Sequence, residues 1–278
     1  MHPILNRATA LLLPHQCVSC RQFADTTGLC AACWTALAPI TAPMCRQCGL
    51  PLAEMLEDGI CAACWATPPK ISRIRSALRY DDASRSLILK LKLGDGLQLV
   101  PFICRLMASC FAELTSDDPL VIPIPLHRWR YWRRRFNQSA ELARYLCHQH
   151  GTGVYSPVLL QRQRATQSQG GLSRQARKRN LAGAFAISPD AAHVDRPVLL
   201  IDDVMTTGAT LNAATRVLQQ AGAPEVRALT IARVISQQAR LRSYADRAQR
   251  CRPGPTIQAE PIDTYWWQNG CARHVQRR

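Results

Sequence analysis

The chain has 278 residues, 47% hydrophobic and 19% charged, with a formal net charge of +16 and 13 cysteines. That length supports one or two domains with a core that needs no covalent staples, and the composition excludes wholesale disorder. No run approaches the roughly 18 apolar residues of a membrane helix. The apolar run at 11–13 is too short for the core of a secretory signal, so a cytoplasmic protein with no membrane span is expected.

The charge is localised. Residues 128–179 hold 12 Lys and Arg against one acid, Glu141, and residues 236–278 hold 8 basic and 3 acidic residues. The remainder is balanced. A surplus confined in this way suggests anionic partners, either phosphates or nucleic acid. The plainer alternative for both stretches is a solvated basic surface.

The first 64 residues carry four CxxC pairs: Cys17/Cys20, Cys30/Cys33, Cys45/Cys48 and Cys61/Cys64. In a reducing compartment these are metal ligands rather than disulfides. Two thiolates spaced by two residues reach one ion from a tight turn, and two such turns complete a closed tetrahedral Zn2+ site. Two structural zinc sites are therefore expected. Sequential pairing gives one site from the first four cysteines and one from the last four; interleaved pairing uses the same residues. Gly49 after Cys48 suits a knuckle turn. Cys104, Cys110 and Cys147 lie in apolar helical patterns and read as inert core thiols, while Cys251 and Cys271 show no partners.

After Pro68-Pro69 the pattern changes. Residues 74–80 read as a strand, 84–93 and 99–112 as helices, and 120–125 as a buried strand. Residues 137–150 read as a helix with Ala140, Leu142, Ala143 and Leu146 on its apolar side. Val158 and Leu159 are strand-like. Residues 197–203 form an apolar run ending in two aspartates, 210–220 a helix closed by Gly222, and 226–234 a last strand. Alternation of this kind predicts an α/β fold with a parallel, doubly wound sheet, whose ligands bind beyond the carboxyl ends of the strands.

The most informative segment is 198–210, Val-Leu-Leu-Ile-Asp-Asp-Val-Met-Thr-Thr-Gly-Ala-Thr. A buried strand delivers Asp202 and Asp203 to the sheet's end. A short hydroxyl- and glycine-bearing loop then enters a helix, where free backbone N–H groups and the helix dipole suit a phosphate. The carboxylates suit ribose hydroxyls, directly or around a magnesium ion. A Walker A pattern is absent.

This string resembles the motif that binds phosphoribosyl diphosphate (PRPP) in type I phosphoribosyltransferases. Within that superfamily the chain resembles the ComF family of competence-associated proteins, from the cysteine head to about Val234. Supporting segments are 121–127, Arg133-Arg134-Arg135-Phe136-Asn137-Gln138, Leu91-Lys92-Leu93-Gly94-Asp95, and a stretch with Arg164, Ala165, Thr166, Gln169, Leu172, Ser173, Arg177 and Asn180 ending at Gly183-Ala184-Phe185.

The resemblance implies a type I phosphoribosyltransferase-like body at 67–235 behind a double zinc ribbon at 1–66, with a basic, mostly disordered tail at 236–278. It implies PRPP bound with Mg2+, with Asp202 and Asp203 on the ribose side as catalytic residues. Thr206, Thr207, Gly208, Ala209 and Thr210 would hold the 5′-phosphate. Arg133 and Arg134, helped by Lys92, would neutralise the diphosphate, and a mobile loop with Arg164, Gln169 and Arg177 would close over the site. It also implies a link to DNA uptake or use of external DNA, with transfer of phosphoribose to an unknown acceptor if the site is active.

Two features depart from the family pattern. Arg135 stands where the family has glycine, and arginine enters some glycine conformations only with strain. The tail extends past the last strand, where Tyr265-Trp266-Trp267 offers a docking point. A second functional reading is an adaptor for single-stranded DNA or the competence translocation machinery, with PRPP as a regulatory or vestigial ligand. Trp129, Tyr131 and Trp132 alternate with Arg128, Arg130 and Arg133, a pattern suited to stacking bases.

Overall fold

The computed structural model describes residues 16–24, 28–127, 132, 135–164, 183–189 and 193–235. Arg128, Trp129, Arg130, Tyr131, Arg133, Arg134, Ala165, Thr166, Gln169, Leu172, Ser173, Arg177, Asn180 and the whole tail lie outside the described residues.

Two short helices belong to the cysteine head, α1 (Ala31–Thr35) and α2 (Ala62–Ala66). The body then runs β1 (Arg73–Arg79), α3 (Asp82–Leu91), a 3-10 turn (Gly94–Leu99), α4 (Val100–Leu114), β2 (Leu120–Pro123), α5 (Gln138–His150) and β3 (Val154–Tyr155). It continues through β4 (Leu160–Arg162), β5 (Phe185–Ile187), β6 (Val198–Met205), α6 (Ala209–Gln220) and β7 (Val226–Arg233).

Five strands form one all-parallel sheet in the order β1-β7-β6-β2-β3. Alternation along the strands assigns the two faces. Val121, Leu199, Ile201, Leu229 and Ile231 pack with α3, α4 and α5. Ile122, Val198, Leu200, Val226 and Ala228 pack with α6 on the opposite side. Both faces being covered explains why β6 opens on four consecutive buried apolar residues and why β7 is buried along its whole length. The chain leaves β2 toward β3 through α5 and leaves β6 toward β7 through α6, in opposite directions. The gap between β2 and β6 is therefore the switch point of the sheet, where the carboxyl ends open a crevice.

Local chemistry sets the helix starts. Asp81 and Ser84 form a reciprocal capping box on α3, each side chain bonding the other's N–H at 2.9 Å. The Asn137 side chain caps α5 through Ser139 N at 3.0 Å. Residues 96–114 are the one helical stretch among the described residues long and apolar enough to cross a bilayer by length and composition, which corrects the expectation that no run comes close. In the fold that stretch is a core helix: Ile103, Met107, Phe111 and Leu114 are fully buried against the sheet.

The strand expected at 158–159 falls at 160–162 instead, as β4, paired antiparallel with β5. Val158 is exposed. Burial pushes the Cys104 thiol up to about 12 and the Cys147 thiol to about 11, as expected of inert core thiols.

Candidate functional site

The head contains two copies of one small unit. Cys17 N–H bonds Gln22 O at 2.7 Å, and Cys45 N–H bonds Leu50 O at 2.8 Å. Val18 N–H bonds Gly28 O, and Arg46 N–H bonds Gly59 O. Each copy ends in Cys-Ala-Ala-Cys-Trp entering a short helix. Each knuckle also has one left-handed residue, Arg21 at φ 63° and Gly49 at φ 67°. The recurring Cys-Ala-Ala-Cys-Trp was the available signal of duplication, and the sequence reading did not use it.

The pairing is sequential. The sulfurs of Cys17, Cys20, Cys30 and Cys33 lie within 4.8 Å of one another, and so do those of Cys45, Cys48, Cys61 and Cys64. Tetrahedral zinc with Zn–S near 2.3 Å sets its ligand sulfurs about 3.8 Å apart. The Cys20–Cys30 and Cys48–Cys61 sulfur separations are 3.6 and 3.7 Å. Both sets fit zinc, four thiolates each, with no position left for a substrate. Zinc there supplies structure, holding two turns together.

The second knuckle is seated on the sheet. Ile74 N–H bonds Gln47 O at 2.8 Å, and a Cβ on Gly49 would lie 2.5 Å from Ile74 O. Only a glycine allows that approach, and its positive φ suits glycine as well. Ile40 N–H bonds Ala77 O and Arg79 N–H bonds Ala38 O, so residues 38–40 run antiparallel beside β1.

Toward its carboxyl end, β6 carries Asp202 and Asp203. Asp202 Oδ1 accepts the Asp203 N–H at 2.9 Å. Asp203 Oδ2 accepts Gln138 Nε2 at 2.9 Å and faces Lys92 Nζ at 2.7 Å. Burial, reinforced by the Asp203 carboxylate, raises the Asp202 carboxyl from 3.8 to about 7, with Lys92 and Arg162 pulling the other way. Lys92 is the C-cap of α3, Gln138 the first residue of α5, and Arg162 the end of β4. Thus three elements converge on the acid pair. Gln138 was noted only as part of a signature and Arg162 was not noted at all; their partners lie far away in sequence.

Beyond β6, Gly208 is the N-cap of α6 with φ 70°, and the N–H groups of the first turn have no partners within the helix. Thr207 Oγ1 is buried and unpartnered. A buried hydroxyl with no partner is costly, so it marks a place for an acceptor such as a phosphate oxygen. Thr206 is exposed, while Ala209 and Thr210 open the helix. Across the switch point, Asn137 Nδ2 bonds Ile124 O at 3.0 Å. This ties the N-cap residue of α5 to the residue just past β2. Arg135 adopts φ 65°, the left-handed conformation that glycine takes without cost. Arg164 stands just past β4.

Comparison with known proteins agrees with this architecture. Residues 8–65 match the model of the double zinc ribbon domain, and residues 141–268 match that of the phosphoribosyl transferase domain. The DNA utilization protein YhgH of Salmonella typhi is 30% identical over 233 residues, covering 81% of this chain and 100% of that one. Competence protein F of Haemophilus influenzae is 28% identical, covering 78% and 96%. Competence protein ComFC of Bacillus subtilis is 28% identical, covering 74% and 84%. A hypoxanthine phosphoribosyltransferase from Staphylococcus aureus superposes on 48% of this chain with 20% identity and a TM-score of 0.31, covering 62% of its own.

The fold and its cysteine head define a phosphoribosyltransferase-fold protein carrying a double zinc ribbon. Within that class the chain belongs to the ComF family, together with the YhgH and competence F proteins.

Proposed function

We propose that this protein binds PRPP with Mg2+ at the carboxyl ends of β6 and β2, in a task connected with the use of external DNA. The single observation that carries the reading is Asp202-Asp203 followed directly by the Gly208-capped start of α6, where Thr207 Oγ1 is buried without a partner.

In this reading Thr206, Thr207, Gly208, Ala209 and Thr210 hold the 5′-phosphate. The aspartates hold the ribose hydroxyls, directly or around the Mg2+ that accompanies PRPP. Lys92, with Arg133 and Arg134, faces the diphosphate. Arg164, Gln169 and Arg177 belong to the segment that closes over the site and excludes water. Transfer passes through an oxocarbenium-like ribose carbon. The protein's part is therefore positioning and stabilising the charge on the leaving diphosphate. The head spans 1–66 and the body 67–235, and the protein works in the cytoplasm.

Titration calorimetry tests this. PRPP binding should require Mg2+ and weaken sharply in the Asp202→Ala/Asp203→Ala double variant. Absence of Mg2+-dependent binding to the wild-type protein would sink the reading.

One exposed residue favours a second role. Trp132, in the basic stretch, is 81% exposed. A single strand of DNA could stack there, with PRPP regulating that contact. Binding of single-stranded oligonucleotide should then fall steeply with salt and with charge reversal at Arg128, Arg130 and Arg133. Salt-independent affinity excludes it.

A further inference from the structure

Cations from the body bond both cysteine knuckles: Lys90 bonds the first, while Arg233 and Arg75, whose Nη1 donates to Arg46 O at 3.0 Å, bond the second. Lys90, in the last turn of α3, donates from Nζ to the carbonyls of Val18, at 3.3 Å, and Ser19. Both carbonyls lie inside the Cys17/Cys20 turn. Two residues later, Lys92 Nζ is 2.7 Å from Asp203 Oδ2. Two helical steps turn about 200°, so the two lysines leave α3 on opposite sides. The helix between them is held firmly, with Leu87, Ile88 and Leu91 fully buried. It is a strut from the first knuckle to the acid pair.

The second knuckle has an equivalent. Arg233, the last residue of β7, donates from Nη1 to Cys48 O. Arg233 is in register with Met205, and the next residue, Val234, bonds Met205 O at 2.9 Å. Met205 directly precedes the Thr206–Gly208 turn. Arg233 is 7% exposed, and its Nε is buried without a partner, so its position is fixed by packing and by the Cys48 carbonyl.

Four thiolates around a divalent zinc ion leave a formal charge of about −2. A cation bonded to the knuckle carbonyls balances that charge and orients the ligands, as outer partners of metal sites do. When zinc leaves and the four thiolates take up protons in its place, the knuckle loses both its shape and its negative charge, and the strut loses its outer anchor.

We infer that Lys90 and Arg233 are positioning residues that couple zinc occupancy in the head to the geometry of Asp203 and the Thr206–Gly208 turn. Coupling of this kind is reciprocal: zinc tightens ligand binding by the factor by which ligand tightens zinc binding. The inference rests on the PRPP reading only for the ligand's identity.

The test uses the full-length, zinc-loaded protein. Zinc release is followed with a chromogenic chelator, and backbone hydrogen exchange is followed over residues 202–210. Lys90→Met should speed release from one of the two sites by about tenfold or more. It should also raise exchange at 202–210, with Lys90→Arg restoring both. Arg233→Met should act in the same way on the other site, with Arg233→Lys restoring it.

In the wild-type protein, partial zinc withdrawal should raise exchange at 202–210 before it does so in the β7 core, which decides the matter if a variant does not fold. Saturating PRPP with Mg2+ should slow release. Zinc loss that leaves exchange at 202–210 unchanged overturns the coupling, and unchanged release in Lys90→Met overturns the role of that residue. If PRPP does not bind the wild-type protein at all, the ligand reading fails while the exchange result still decides the coupling.

Discussion

Lys92 Nζ and Asp203 Oδ2 lie 2.7 Å apart, with 24% and 14% of their side chains exposed. A lysine thus stands against one carboxylate of an adjacent acid pair. Removing it as Lys92→Met leaves two neighbouring carboxyls with less compensation, and a largely desolvated charge without its partner is expensive. The variant should lose about 2 kcal/mol of stability at pH 8 and less at pH 5, where protonation relieves the repulsion. Urea unfolding at both pH values measures this.

Asp202 gives a stability profile of the opposite sense to a salt-bridged carboxylate. Its folded value is raised to about 7 from 3.8. Between those values the folded protein holds a proton that the unfolded chain releases. Stability therefore declines as pH rises from about 4 to about 7, and the deficit is complete above 7. Asp202→Asn should stabilise the protein by about 1–3 kcal/mol at pH 8 and make little difference at pH 4. The same variant should lose Mg2+-dependent PRPP binding, which calorimetry reads separately.

Thr207 separates stability from binding in another way. Its hydroxyl is buried without a partner, so Thr207→Val removes an unsatisfied group at nearly constant volume. Thermal unfolding should show an unchanged or slightly higher midpoint. Affinity for PRPP, and for ribose 5-phosphate, should fall about tenfold, the value of one charge-assisted hydrogen bond. A variant that keeps full affinity would remove Thr207 from the phosphate site.

Arg135 stores backbone strain at an exposed position, with φ 65°. Arg135→Gly should raise the urea midpoint by the equivalent of about 0.5–1 kcal/mol with an unchanged slope. At its own position Arg135 thus takes a conformation that glycine takes without cost.

Much of this was legible beforehand because it is local. Apolar runs, capping residues and the string from Val198 to Thr210 lie consecutively in the chain, and the sheet, the acid pair and the α6 start follow from them. What was missed depends on distance or brevity. Gln138 reaches Asp203 across 65 residues, and no pattern around either announces the other. Arg162 acts on Asp202 from a three-residue strand too short to show periodicity. The pairing of the cysteines was open because spacing constrains a turn and not its partner. The stretch 96–114 passed unnoticed as a candidate span because its polar residues interrupt the run, although its mean hydropathy still qualifies.

The seven-residue β1 lies at one border of the sheet, with the two-residue β3 at the other. β3 is too short to recruit another chain. β1 is long enough, and residues 38–40 of the head take up its Ala77 carbonyl and Arg79 N–H. A bare strand of that length is a template for self-association. The head therefore covers the carboxyl-terminal part of that edge as well as offering the metal sites. Cells starved of zinc should yield this protein as aggregate rather than as soluble, ligand-free material, and restoring zinc before the chain folds should return it to the soluble fraction.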